Sequence, residues 1–108
     1  MNIVISMVFF SEIADNDLTE ILLGLISWEK HPLEKTHALN YVDDIVSVCH
    51  SLDTKSFHSK TTYPAHKRYG EKVYRYGRNP QTIWYIIYDI DKYGNVFVNK
   101  IMSNHTTD

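Results

Sequence analysis

The stretch from Tyr74 to Asn104, YRYGRNPQTIWYIIYDIDKYGNVFVNKIMSN, limits what this chain can fold into more than any other. It reads as three strand-like runs separated by two turn signals. The first run, Lys72 to Tyr76, alternates basic with apolar or aromatic residues. Arg78-Asn79-Pro80-Gln81 breaks it, because proline fixes φ and offers no N–H to a ladder. Thr82 to Ile90 is dense in β-branched and aromatic residues on both faces, the composition of a central strand. Asp91 to Asn95 is a turn, with Gly94 and Asn95 suited to φ > 0. Val96 to Met102 is the last strand, and Ser103-Asn104-His105 follows it. The stretch predicts a three-stranded antiparallel meander.

The rest of the chain must cover that meander. With 108 residues there is room for one domain, residues 1–108, with a modest core. No apolar run approaches the roughly 18–20 residues that span a bilayer, so no membrane partner is expected. The start, MNIVISMVFF, lacks a basic segment and a small-residue cleavage site, and reads as an opening strand rather than a signal peptide. Cys49 is the only cysteine, which rules out an internal disulfide and points to a reducing, cytoplasmic home. It lies on the apolar stripe of a predicted helix, where a buried structural thiol is expected.

The formal net charge of −2 hides an asymmetry. Nine acids and two bases precede Lys55, whereas nine bases and four acids follow from Lys55 on. This split fits a phosphate-facing surface on the second half. It equally fits two halves that neutralise each other across the fold.

In chain order, Ile3 to Phe10 reads as a strand and Ser11 as a helix N-cap. Glu12, Asp15 and Asp17 complement the dipole of the first turns. Ile13, Leu18, Ile21, Leu22, Leu25 and Trp28 recur at helical spacing, and His31-Pro32 ends that helix. A second helix is predicted over Leu33 to Leu52, with Ala38, Tyr41, Val42, Ile45, Val48, Cys49 and Leu52 as its stripe. Asp43 and Asp44 lie on its solvated side. The two helices form an antiparallel hairpin that buries its stripes on the meander. Asp53 to Lys67 reads as a polar loop, with His58 and His66 as exposed residues. No zinc spacing, glycine-rich phosphate loop, Gly-x-Ser-x-Gly elbow or internal repeat is present.

The resulting class is α+β, with element order β-α-α-β-β-β, a small antiparallel sheet and a helical hairpin on one face. Several local features accompany that order: Phe10-Ser11, Ala14, Asp17-Leu18 and Ile21; Tyr69-Gly70 before Val73 to Tyr76; Thr82 to Asp91; and Val96 to Ile101. Together they resemble the RelE/ParE superfamily of bacterial toxin–antitoxin toxins over nearly the whole chain, closer to RelE-like than ParE-like members. The resemblance implies an open basic groove on the sheet face away from the helices. It also implies a cognate antitoxin that wraps and silences the toxin.

RelE-like members cut messenger RNA on the ribosome without a metal or other cofactor. A ribose 2′-OH attacks the neighbouring phosphate, which needs a base, an acid for the departing oxygen and cations for the phosphorane charge. Arginine matches phosphate oxygens with its fork, and aromatic rings stack splayed bases. By resemblance the catalytic candidates are His105, Arg78, Arg75 and Tyr85, and the RNA-binding candidates are Lys67, Arg68, Lys72, Tyr74 and Lys100. Histidine is the residue type that exchanges protons near neutral pH. Two departures stand out. Thr82 occupies the place of a RelE-like catalytic arginine, and the chain stops at Asp108 without the tyrosine of longer tails. They leave two alternatives: a ParE-like, non-catalytic toxin that binds DNA gyrase, and a degenerate member that keeps only antitoxin binding.

Overall fold

The structure, a computed structural model, describes residues 6–28 and 32–105. Within them lie a five-stranded mixed sheet and three α-helices: β1 (Val8–Phe10), α1 (Glu12–Trp28), α2 (Pro32–His50), β2 (Ser59–Lys60), α3 (Pro64–Lys67), β3 (Lys72–Asn79), β4 (Thr82–Ile90) and β5 (Val96–Ser103). The sheet order is β1-β5-β4-β3-β2. The meander β3-β4-β5 is antiparallel throughout, and β4 is its central strand. β1 joins the β5 edge in parallel, Val8 opposite Val96 and Phe10 opposite Val98.

Local chemistry explains the joints. Asn79 Oδ1 accepts the N–H groups of Gln81 and Thr82, both at 2.9 Å, so strand pairing continues through Asn79 and only Pro80-Gln81 turn. At the next turn Gly94 has φ +86°, the left-handed region that glycine enters without Cβ strain. The Asp91 carboxylate accepts from Tyr93 N–H and from Asn95 N–H and Nδ2, and the Asn95 amide leads in holding its pKa below the ordinary value. Ser11 caps α1 as expected, its Oγ accepting the Ala14 N–H at 3.0 Å.

Ala14, Ile45, Cys49 and Leu52 from the helical side meet Trp84, Ile86, Tyr88, Val96, Val98 and Ile101 from the sheet in one buried cluster. Burial pushes the Cys49 thiol up to about 12, the signature of an inert structural cysteine. On α1 the buried stripe is centred on Ala14, Asp17, Leu18 and Ile21, while Ile13 turns outward at 50% exposed. α1 crosses the β5 edge just beyond the end of β1. There buried Asp17 accepts the Ile101 N–H at 2.9 Å and pairs with Lys100 Nζ at 2.9 Å, so an edge donor and an ammonium are satisfied together.

Five expectations need correction. The small sheet expected to be antiparallel is mixed, because β1 joins β5 in parallel through a long-range pairing that no local pattern announces. The opening strand is three residues long, with Ser6 and Met7 outside it, and residues 1–5 lie outside the described region. The helix break at His31 also lies outside the described residues; α2 starts at Pro32, whose missing N–H costs nothing in a first turn. α2 ends at His50, and Leu52 begins a separate 3-10 turn. The segment from Asp53 to Lys67 is not a plain loop. It contributes β2, paired antiparallel to β3, and the short helix α3. This segment and Tyr69-Gly70 fold back over the second face of the sheet, so that face is only partly open. A Cβ on Gly70 would sit 3.0 Å from the Tyr88 carbonyl oxygen and 3.2 Å from Ile87 Cγ2, so a side chain there would press on the sheet. No described helix is long and apolar enough to cross a membrane.

Candidate functional site

Side chains alternate across a strand, so register decides which candidates meet. In β3, Val73, Arg75 and Gly77 pair with Ile87, Tyr85 and Ile83 and share their side of the sheet. Lys72, Tyr74 and Tyr76 pair with Tyr88, Ile86 and Trp84 and lie on the helical side, where both tyrosines pack against the main core. A register shift between Gly77 and Asn79 then turns Arg78 toward α2. Its guanidinium pairs with Asp44, hydrogen-bonds the Tyr76 hydroxyl at 3.3 Å and lies 4.3 Å over the Tyr41 ring. The Asp44 carboxylate leads in holding that guanidinium charged. Asp44, expected to be merely solvated, is half of this latch. Tyr41 in turn accepts from Trp84 Nε1 at 2.8 Å.

His105 is also on the helical side. Its Nε2 donates to the Gln81 carbonyl at 3.0 Å, and it borders an apolar cleft between α1, α2 and Trp84. Arg75 and Tyr85 are therefore on one side of the sheet and Arg78 and His105 on the other. The four catalytic candidates do not form one centre.

The side that carries Arg75 gathers a different set. The Arg75 guanidinium stands 5.8 Å over the Tyr85 ring, and the His66 ring packs 4.7 Å from the other partner of that stack, Tyr85 itself. Tyr63 meets His66 edge-on at 5.3 Å. These four residues, with Phe57 and Lys60, line a cleft of about 430 Å³ that wraps the β3 edge beyond the end of β2. Two of its aromatics stand out into solvent, Phe57 at 78% and Tyr63 at 59% exposed. Exposed rings beside an arginine are the parts that stack bases and grip phosphate. Tyr88 closes the floor, sharing a 2.6 Å hydrogen bond with His58 Nδ1, and burial pushes its phenol up to about 12.

His66 is 7% exposed and His58 half-buried, against the expectation of two exposed histidines. The signal for His66 was in the sequence: Pro64 stands at a helix start, and one helical turn after Tyr63 returns His66 to the sheet. What the sequence lacked was the register that puts Tyr85 beneath it.

The RNA-binding candidates divide in the same way. Lys67 and Lys72 share a second cleft of about 400 Å³ with Lys60, Thr61, Gly70 and Glu71. Arg68 is exposed and lies 5.2 Å over Tyr69. Tyr74 lies under Lys55, 5.2 Å from its ammonium. Lys100 is held by Asp17 and rests 5.3 Å over Tyr69, so it does not face the Arg75 cleft. Among the described residues no group of three His, Cys, Asp or Glu side chains is placed to share an ion.

Fold and site together define a small α+β protein with a mixed sheet, the two long helices on one face and a cationic, aromatic cleft at the edge of the other. No protein-family model, curated protein or solved structure matches this chain.

Proposed function

We propose that this protein is a RelE/ParE-like toxin that grips unpaired RNA in the cleft around Arg75, Tyr85 and His66. One observation carries the reading: an arginine, a buried histidine and exposed aromatic rings meet in a single concave site. Tyr63 and Phe57 offer faces on which bases stack, each such contact being worth about 1–3 kcal/mol. Arg75 supplies a fork for phosphate oxygens and for the charge that builds on a phosphorane. In this reading His66, not His105, is the proton-exchanging group. It takes the proton of a ribose 2′-OH as that oxygen bonds to phosphorus. The P–O5′ bond breaks with its electron pair on O5′, which takes a proton from water, leaving a 2′,3′-cyclic phosphate and a 5′-hydroxyl. The substrate is messenger RNA on the ribosome, and a cognate antitoxin is the silencing partner.

The separation of Arg78 and His105 from Arg75 favours a second reading, a ParE-like toxin that binds DNA gyrase without cleaving RNA. Inducible expression with transcript-end mapping tests both. The expected result is growth arrest with cut transcripts, abolished in Arg75→Ala and His66→Gln and retained in His105→Ala. Arg75 is exposed, so its variant tests the site without a folding penalty. Arrest with intact transcripts and gyrase–DNA adducts would replace the first reading by the second.

A further inference from the structure

The second cleft raises an electrostatic question that the first does not. Register places Lys60 directly opposite Lys72 across β2 and β3, and residues so paired point to the same side. Like charges in that position repel. Lys67, in the last turn of α3, lines the same cleft. Neither ion pair among the described residues involves any of the three. The only carboxylate lining the cleft is that of Glu71. Three lysines and one glutamate thus line about 400 Å³ of open space, an excess of two basic residues over acidic ones in its lining. An excess of lysines facing one open space favours a bound anion.

We infer that the cleft of Lys60, Lys67 and Lys72 binds a phosphomonoester, the terminal phosphate of an RNA strand or of a nucleotide. Charge decides between the kinds of phosphate. A backbone diester carries a single negative charge, whereas a monoester carries roughly −1.5 to −2 near neutral pH, which matches the site. Thr61 shapes the wall: it is buried, and its hydroxyl donates to the Gly70 carbonyl at 2.9 Å, so the lysines rather than the hydroxyl face the anion. Lys60 lines both clefts, so they adjoin at that residue. A terminal nucleotide can therefore set its base among Tyr63, His66 and Tyr85 while its phosphate rests among the lysines. This rests on the reading of the first cleft as an RNA site, and it adds a preference for strand ends that no backbone contact supplies.

Calorimetric titration of the whole protein separates the two ideas. The ligands are a short oligouridylate with a 5′-phosphate, the same oligomer with a 3′-phosphate, the oligomer with hydroxyls at both ends, and adenosine monophosphate. The expected result is that one phosphorylated oligomer binds about tenfold tighter than the hydroxyl form, the gain of one strong charge-assisted contact. Lys67→Gln, at an exposed position, removes that gain, bringing the phosphorylated oligomer down to the affinity of the hydroxyl form. Arg75→Ala weakens all the oligomers. In the ligand-free protein at low salt, Lys67→Gln also raises Tm, because it relieves repulsion, and that readout distinguishes an anion site from a structural lysine. Equal affinity for all three oligomers overturns the phosphomonoester site and leaves the RNA reading standing. Binding of adenosine monophosphate but not of the hydroxyl oligomer overturns the RNA reading and assigns the site to a free nucleotide. Binding of none overturns both.

Discussion

The two faces of the sheet are covered in different ways, and the difference separates what holds the protein together from what carries its cationic, aromatic cleft. On one face α1 and α2 close over Trp84, Ile86 and Tyr88 with apolar side chains, and the one arginine that reaches them, Arg78, is latched to Asp44 and Tyr41. On the other face Ile87 is also fully buried, but under the segment that carries α3 and Gly70 rather than under long helices. Histidine, arginine, lysine and exposed rings collect beside that segment. Long helices bury a continuous stripe, and the cleft they leave beside Trp84 and His105 is lined mostly by apolar side chains. A short, polar segment buries a few residues and leaves concave space at its margins.

Neighbouring residues on β4 break or sharpen that contrast most strongly. Ile86 and Ile87 are both 0% exposed and point to opposite faces. Truncation of a buried isoleucine costs about 2–5 kcal/mol, the upper end applying where the surroundings cannot relax. Ile86→Ala should fall near the upper end and Ile87→Ala near the lower, measured by urea unfolding. Only Ile87→Ala should speed native-state amide exchange within residues 61–71. Equal costs with unchanged exchange would mean that both covers are equally rigid.

Next in size is Asp17→Ala. It strands the buried Ile101 N–H and leaves Lys100 without its carboxylate, a loss of about 3 kcal/mol. Because that pair belongs to the edge of β5 and not to the Arg75 cleft, the RNA affinity that the proposed function calls for should stay unchanged while the unfolding midpoint falls. A loss of affinity with an unchanged midpoint would place Lys100 in the binding surface after all.

The smallest effect is read in alkali. Burial raises the Tyr88 phenol from 10.0 to about 12. Between those values the unfolded chain has lost a proton that the folded chain keeps. Stability is therefore complete below about pH 10 and declines as pH rises toward 12, by about 1.4 kcal/mol per pH unit for one proton. Tyr88→Phe should make the stability curve shallower over that interval. An unchanged slope would show that Tyr88 is already ionised or solvated at the floor of the cleft.

Much of the fold was legible in advance. Alternation and turn residues located β3, β4 and β5, and Ser11 announced the start of α1. The candidate site was legible only in part. Arg75 and Tyr85 do meet, but Arg78 turns away because one register irregularity follows Gly77, and no periodicity announces a bulge. Ile13 has the spacing of a core residue and faces solvent, because the helix meets the sheet along Ala14 and Asp17 instead.

The sequence by itself determined the α+β class, the meander, the helical hairpin and the gathering of bases in the second half. Those features follow from propensity, period and composition, which act over a few residues at a time. Only the tertiary structure decided that Lys60, Lys67 and Lys72 line one cleft and that His66 lies on Tyr85 while Arg78 does not join them. These placements depend on strand register and on how one polar segment closes back over the sheet, and both are set by contacts between residues far apart in the chain.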